Sequence, residues 1–232
     1  MPKVPRSGRQ PRNVANRRPK SAEPAASKPA GYHHGDLRVA LLAAAERILA
    51  REGIQGLTLR AAAREAGVSH AAPKNHFGDL TGLLSELAAA GFERFNAAMR
   101  EASAAAGPGA DRMAALGVAY VRFARANPGL FLLMFRSERL DFTRPALCRA
   151  ADAALGRLTG SMGDGADAAG NAASPLPEVL SIGQAAGIVA AWSMVHGLAM
   201  LLIDGRLKPI VERLPAGTGE ADLLAALARR GD

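Results

Sequence analysis

Alanine, which has the highest intrinsic helix propensity of any residue, supplies much of the apolar content of this 232-residue chain. Hydrophobic residues make up 49 % of the sequence but aromatic residues only 4 %. Runs of Val, Ile, Thr and Tyr, which favour strands, are absent. A chain of this length can bury a sizeable core and form one or two domains. We therefore expect an all-α protein.

The positive charge is concentrated at the N-terminus. The first 35 residues contain eight Lys or Arg against Glu23 alone, whereas the remaining residues carry 21 basic and 20 acidic side chains. Because the segment is also rich in proline and cannot bury apolar surface, it is predicted to form a disordered arm over residues 1–34. The arm has no apolar stretch like that of a secretory signal. A basic arm suits a polyanion such as DNA, and a solubilising extension is the alternative.

Three short helices are predicted after the arm, each bounded by a capping residue or a glycine. The first is expected to begin after Asp36 and to end at Gly53. The second is capped by Thr58 and stops at Gly67, and the third takes Ser69 as its N-cap. The last two helices are joined by a four-residue turn containing glycine, which is typical of a helix-turn-helix motif.

The third helix, "VSHAAPKNHF", is unusually polar for a segment between two apolar helices. Val68, Ala72 and Phe77 are expected to point inward. The side chains expected to face outward are His70, Ala71, Lys74 and Asn75. There Asn and Lys can bind base edges in the major groove of DNA, or else form an ordinary solvated surface. The hydroxyl groups of Thr58 and Ser69 at helix N-termini suit phosphate oxygens.

The order and spacing of these residues over 41–84 resemble the tetracycline-repressor (TetR) family of bacterial transcription regulators. The resemblance rests on "TLRAAAREAGVS" followed by "HF". It implies that Thr58 and Ser69 contact phosphates, that His70 and Ala71 face the groove and that His76 contacts the DNA backbone. The candidate DNA-contacting residues are Thr58, Arg60, Ser69, His70, Ala71, Lys74, Asn75 and His76.

Two positions depart from the family pattern. Lys74 stands where the family usually has a tyrosine that contacts a phosphate, and Leu80 stands where a lysine commonly does the same. Lys74 can serve a phosphate as a point charge, but Leu80 cannot. His76, beside Phe77, also has an alternative interpretation as a packed histidine.

Apolar and aromatic side chains recur at helical spacing through the second part of the chain. The segment "WSMVHG" (192–197) looks like a Trp-x-x-x-His-Gly signature of one class of TetR C-terminal domain, which implies either an effector pocket or packing at a bundle or dimer seam. The candidate pocket residues for a small lipophilic ligand are Phe92, Phe95, Met99, Tyr120, Phe131, Met134, Phe135, Trp192 and His196.

Residues 179–203 contain no charged side chain. Their length would allow a membrane span, but polar interruptions such as Gln184 and His196, and the lack of a second span, favour a helix buried inside a bundle or against a partner subunit. We therefore expect no membrane partner. The segments expected to form a homodimer interface are 178–204 and a final helix over 220–230.

The sequence offers little for catalysis or metal binding. Cys148 is the only cysteine, so neither a disulfide nor a cysteine-based metal cluster can form within one chain. The His33-His34 pair resembles a metal site only superficially. No phosphate loop, metal-binding helix or nucleophile motif is present, so neither an enzyme nor a cofactor is expected.

Together, the motifs and the resemblance predict a basic arm over 1–34, a helix-turn-helix domain over 35–82 with its motif at about 59–78, and a larger helical ligand-binding and dimerisation bundle over 83–232. They imply a cytoplasmic repressor that binds a palindromic operator as a dimer and is released by a small lipophilic ligand. The alternatives are a helical adaptor for protein contacts and, further from the pattern, a helical enzyme.

Overall fold

The computed structural model describes residues 34–106, 110–160 and 179–228, and the regular structure of these residues is entirely helical, which confirms the all-α prediction. The predicted arm, up to residue 33, lies outside the described residues. The elements are α1 (His34–Gly56), α2 (Leu59–Glu65), α3 (Ala72–Phe77), α4 (Leu80–Ala105), α5 (Ala110–Ala126), α6 (Pro128–Met134), a 3₁₀ turn (Ser137–Arg139), α7 (Pro145–Gly160), α8 (Ile182–Ile203), α9 (Lys208–Val211) and α10 (Glu220–Ala228).

The first two helices follow the prediction closely. Helix α1 begins at His34, two residues before the expected cap, and its regular path breaks at Gly53, where φ is 68°. Thr58 caps α2, because its Oγ1 accepts a hydrogen bond of 3.0 Å from the backbone N–H of Ala61. Gly67 follows the end of α2 with φ 68°, a conformation that costs glycine little.

The predicted start of α3 is wrong. Ser69 is not its N-cap: the helix begins at Ala72 after Ala71, which makes no side-chain capping bond. An α-helix capped by Ser69 needs the N–H of residue 73 to reach the Ser69 carbonyl, and Pro73 has no N–H. That carbonyl instead accepts from the N–H of Ala72 at 3.0 Å, forming a tight turn. Pro73 therefore occupies the first turn of α3 rather than its fourth position, and its side chain is buried.

Helix α4 organises the rest of the fold. Asp79 caps it by accepting a hydrogen bond of 2.7 Å from the N–H of Gly82. One side of the helix is buried against α1, α5, α6 and α7, so a single apolar stripe serves both the helix-turn-helix and the bundle. The largest side chains of this stripe are Leu83, Leu84, Leu87, Phe92, Phe95 and Met99.

Helix α6 lies between α1 and α4 and is packed closely against both. A Cβ atom on Gly129 would lie 2.9 Å from the carbonyl oxygen of Leu49 in α1. A Cβ atom on Gly91 in α4 would lie 2.9 Å from the Sδ of Met134. Glycine at these two positions therefore lets α6 join the helix-turn-helix to the bundle.

Helix α8 is not buried within its own chain, contrary to one of the two expectations for this segment. Only Ala199 is buried, while apolar side chains such as Val189 (59 % exposed) and Met194 (58 % exposed) face outward. Among the described residues, α8 is the one helix long and apolar enough to cross a membrane, judged by length and composition alone. Ser181 and Gln184 form a capping box at its start.

Candidate DNA-binding surface and aromatic cluster

The polar side of α3 and the turn before it are exposed as predicted. Ser69, His70, Ala71, Lys74 and Asn75 are all exposed, and so are Thr58 and Arg60 at the start of α2. Base edges and phosphates can be reached only by side chains with this accessibility. The structure therefore places seven of the eight candidate DNA-contacting residues in positions where they are free to touch a duplex.

The opposite side of α3 anchors the helix. Phe77 is 2 % exposed, and Ala72 and Pro73 are buried with it against α2 and α4. His76 is half-buried, with its ring centroid 6.2 Å from that of Phe77. It thus belongs partly to the packing, and it is the least accessible of the predicted contacts.

Two predicted phosphate contacts differ in their local chemistry. The Oγ1 of Thr58 accepts from Ala61, but its hydroxyl hydrogen remains able to donate to an oxygen anion. Ser69 is exposed and makes no capping bond to α3. Leu80, which replaces the family's usual lysine, is partly buried against the core, so this position contributes to packing.

Arg144, which is 67 residues away in sequence, also contacts α3, and the sequence patterns do not indicate this contact. The Nη2 of Arg144, just before α7, donates a hydrogen bond of 3.3 Å to the carbonyl oxygen of Phe77. Arg144 also lies 3.9 Å from Glu86, which forms an ion pair with Arg38 of α1. A Cβ atom on Gly82 would lie 2.0 Å from the same carbonyl oxygen and 2.6 Å from Nη2, so only glycine leaves room for this arrangement.

Five of the predicted pocket residues meet where α5, α6 and α8 pack together. The hydroxyl of Tyr120 lies 3.0 Å from Nδ1 of His196, and the indole Nε1 of Trp192 donates to that hydroxyl at 3.4 Å. Phe131 stacks on the His196 ring with centroids 5.4 Å apart, and Phe135 lies edge-on to it at 4.7 Å. Trp192 and His196, four residues apart in α8, therefore lie on the same side of that helix and face these rings.

The polar groups of this aromatic cluster are neutral and form an ordered chain. Burial raises the pKa of the Tyr120 phenol, and burial lowers the pKa of the His196 imidazole. The Trp192 indole can only donate, so the Tyr120 hydroxyl accepts from it and keeps its own hydrogen free to donate to Nδ1 of His196. In the tautomer that accepts this hydrogen, the neutral imidazole carries its own proton on Nε2.

The other predicted pocket residues are core residues. Phe92, Phe95, Met99 and Met134 are each no more than 4 % exposed. The rings of Phe95 and Tyr120 pack edge to face with centroids 5.2 Å apart. The accessible part of the predicted pocket is therefore its outer edge, where Phe135, Trp192 and His196 are half-buried.

Metal and thiol chemistry find little support in the part of the chain that the structure describes. No group of three or more His, Cys, Asp or Glu side chains there could hold a metal ion, and the His33-His34 side chains lie outside it. The thiol of Cys148 donates to the Asp152 carboxylate at 3.3 Å. That carboxylate raises the pKa of the thiol, which disfavours the nucleophilic thiolate.

Family models match both parts of the chain. The model described as bacterial regulatory proteins, tetR family, matches residues 41–87, which contain the helix-turn-helix. The model described as tetracyclin repressor-like, C-terminal domain, matches residues 113–220, which contain the aromatic cluster and α8. No curated protein sequence matches the chain.

Solved structures support the same assignment. A protein of unknown function from Rhodococcus sp. RHA1 is 36 % identical, with a TM-score of 0.66 over 87 % of this chain and 96 % of its own. A member of the TetR family from Streptomyces coelicolor A3 shares the fold at 17 % identity, with a TM-score of 0.55 over 84 % of this chain and 97 % of its own. This chain therefore belongs to the TetR family of bacterial regulatory proteins.

Proposed function

We propose that this protein is a cytoplasmic transcriptional repressor that binds a palindromic operator as a homodimer and is released by a small lipophilic ligand. The observation that supports this proposal best is the two-sided character of α3. The helix is fixed by buried Phe77 and Pro73, while Lys74 and Asn75 remain exposed. A short helix with this division is suited to the major groove of B-DNA.

The DNA contacts divide into two groups by chemistry. His70, Ala71 and Asn75 are proposed to face base edges, where the Asn75 amide matches the donor and acceptor pair of adenine. Thr58, Arg60, Ser69, Lys74 and His76 are proposed to contact phosphates, which set the position of α3 but carry little sequence information. Arg60 and Lys74 supply full positive charges and therefore the salt-dependent part of the affinity.

The exposed apolar side of α8 supports the homodimer. In an isolated chain this side exposes the apolar side chains of Val189, Met194 and Leu201 to water, which is unfavourable. Packing against the same surface of a second copy would bury them. A two-fold interface then presents two α3 helices to the same side of DNA. Half-sites about 34 Å apart, one turn of B-DNA, are expected for such a dimer.

The aromatic cluster supports a lipophilic effector. A ligand that inserts beside His196 would replace ring contacts with Phe135 and Trp192 and find a single donor at Nε2. Phe131 stacks on His196 and belongs to α6, which lies directly on α1. A ligand that moves the rings around His196 can therefore shift α6 and, through it, the helix-turn-helix. Binding would shift the dimer population towards a spacing that does not fit the operator.

Selection of bound DNA from a random library by the full-length protein tests the proposal. The expected product is a palindrome whose half-sites are centred one helical turn apart. Asn75→Ala should relax the base preference at one position in each half-site, whereas Ser181→Ala, at the start of α8, should leave the selected sequence unchanged. Failure to enrich any palindrome would refute operator recognition by a dimer; failure of lipophilic compounds to release the DNA would refute only the effector step.

A further inference from the structure

A cleft lies between α4 and α7. It encloses about 280 Å³ and has a floor of three α7 alanines. Its polar walls are formed by Glu93, Asn96 and Arg100 of α4 and by Arg149 of α7. These residues are separate from the DNA-contacting set and from the aromatic cluster, so nothing proposed above uses this cleft.

A buried acceptor in this cleft has no partner. Asn96 is only 5 % exposed, and its Nδ2 donates to the carbonyl oxygen of Ala150 at 2.9 Å. Its Oδ1 is buried and receives no hydrogen bond from any described residue. An unsatisfied buried amide oxygen costs roughly 1–3 kcal/mol. A bound molecule with an N–H or O–H group would remove that cost.

The arginines around the cleft also have no anionic partner. Neither Arg100 nor Arg149 forms an ion pair within the described residues, although Glu93 lines the same cleft. Arg157, one helical turn beyond the alanine floor, keeps a buried Nε without a hydrogen-bond partner. Burial, and then the charge of Arg100, lower the pKa of the Arg157 guanidinium. Three arginines thus lie around the cleft without an ion pair to any described residue, and Glu93 is the acidic side chain that lines it.

We infer that the cleft between α4 and α7 binds a small oxyanion, a carboxylate or a phosphate, that also carries a hydrogen-bond donor. Arg100 and Arg149 hold the anionic group from opposite helices, since guanidinium groups match the geometry of both oxyanions. Asn96 Oδ1 and the Glu93 carboxylate accept from the donor, which distinguishes the ligand from a simple anion. The size of the cleft fits a molecule of about ten non-hydrogen atoms.

Calorimetric titration of the full-length protein with malate, succinate and inorganic phosphate tests this inference. Malate and succinate carry the same charge, but only malate has a hydroxyl group. The expected result is one saturable site per chain for malate, phosphate or both, with succinate binding at least several-fold more weakly than malate. Binding of malate would identify the anionic group as a carboxylate, and binding of inorganic phosphate would identify it as a phosphate.

Variants complete the test. Arg149→Gln and Arg100→Gln should each weaken binding about tenfold, because each removes a charge-assisted hydrogen bond. Both side chains are exposed, so circular dichroism should show an unchanged fold. Arg122→Gln, at an exposed arginine of α5, is the matched control and should bind normally. The inference is overturned if neither malate nor phosphate saturates a site, if the two cleft variants bind as well as the control, or if malate binds and succinate binds as tightly.

Discussion

The guanidinium of Arg144 donates a hydrogen bond of 3.3 Å to the carbonyl oxygen of Phe77, the last residue of α3, across 67 positions of sequence. The final carbonyl groups of a helix have no partner within it, and a cation placed there is also favoured by the helix dipole. The position of α3 is therefore tied to the start of α7. A shift of α7 relative to α4 would be transmitted directly to α3, the helix proposed to face DNA.

Substitution of Arg144 should disturb the orientation of α3 while leaving most of the protein's stability intact. Arg144→Gln is expected to lower the unfolding free energy by only about 1 kcal/mol, because the lost bond is partly exposed to water. Specific operator affinity should fall about tenfold while non-specific DNA affinity stays the same, since the charges that contact phosphate are retained. Titrations of specific and random duplexes measure both. Arg206→Gln, an exposed arginine near the end of α8, is the control. Equal losses on both duplexes would show that Arg144 does not orient α3.

Gly82 should be intolerant of any side chain for the same geometric reason. Gly82→Ala would place a Cβ atom 2.0 Å from the Phe77 carbonyl oxygen and 2.6 Å from the Arg144 guanidinium, so both that backbone and Arg144 must move. We expect a loss of about 2–3 kcal/mol, measured by urea denaturation. Gly117→Ala in α5 is the matched control, because its Cβ would meet only a Val195 methyl group at 3.6 Å. The control should be neutral or stabilising, as expected for alanine inside a helix. Equal stability of the two variants would contradict the prediction.

Local features of the first three helices could be predicted from sequence because each depends on residues a few positions apart. Gly53 and Gly67 take positive φ, and Thr58 caps α2, as expected. Ser69 is a favourable capping residue, but Pro73, four residues further on, lacks the N–H that a helix capped by Ser69 requires, so α3 begins later.

The remaining contacts could not be predicted in this way. No local pattern indicates that Arg144 reaches Phe77, since the pairing depends on how α7 packs against α4. Likewise, an apolar stretch such as α8 has the same composition whether its own chain, a second copy or a membrane covers it. Burial of the aromatic pocket candidates is also a tertiary property, because helical spacing alone does not distinguish a filled core from a cavity.

Burial of the neutral His196 ring should make stability depend on pH. Because the pKa of His196 is lower in the folded than in the unfolded state, the unfolded state binds the proton first as the pH falls. Stability should be complete above the unfolded pKa of about 6.5 and should decrease as the pH falls below it towards the folded pKa. Urea denaturation at pH 7.5 and pH 5.5 measures the change. His196→Gln should reduce this dependence, whereas His70→Gln, at an exposed position, should preserve it. An identical pH profile for His196→Gln and the wild type would contradict the assignment.

A charge placed on the exposed side of α8 should dissociate the homodimer. Met194→Glu buries a carboxylate in the proposed interface, and we expect the dimer dissociation constant to rise at least a hundredfold. Sedimentation velocity at micromolar concentration measures this change. Val39→Glu introduces the same charge at an exposed apolar position of α1 and should leave the oligomeric state unaltered. A Met194→Glu protein that remains dimeric would exclude this side of α8 from the interface.

The final prediction concerns Lys74, where the family usually has a tyrosine. If its ammonium group neutralises one phosphate, then Lys74→Gln should reduce the slope of log affinity against log salt by about one per α3 helix bound, hence about two for a dimer. Specificity among duplexes should change little, because a phosphate contact carries no base information. Lys208→Gln in α9, also an exposed lysine, should leave the slope unchanged. Fluorescence anisotropy titrations over a range of salt concentrations provide the measurement.

An unchanged slope for Lys74→Gln, together with a changed base preference, would instead assign Lys74 to a base edge.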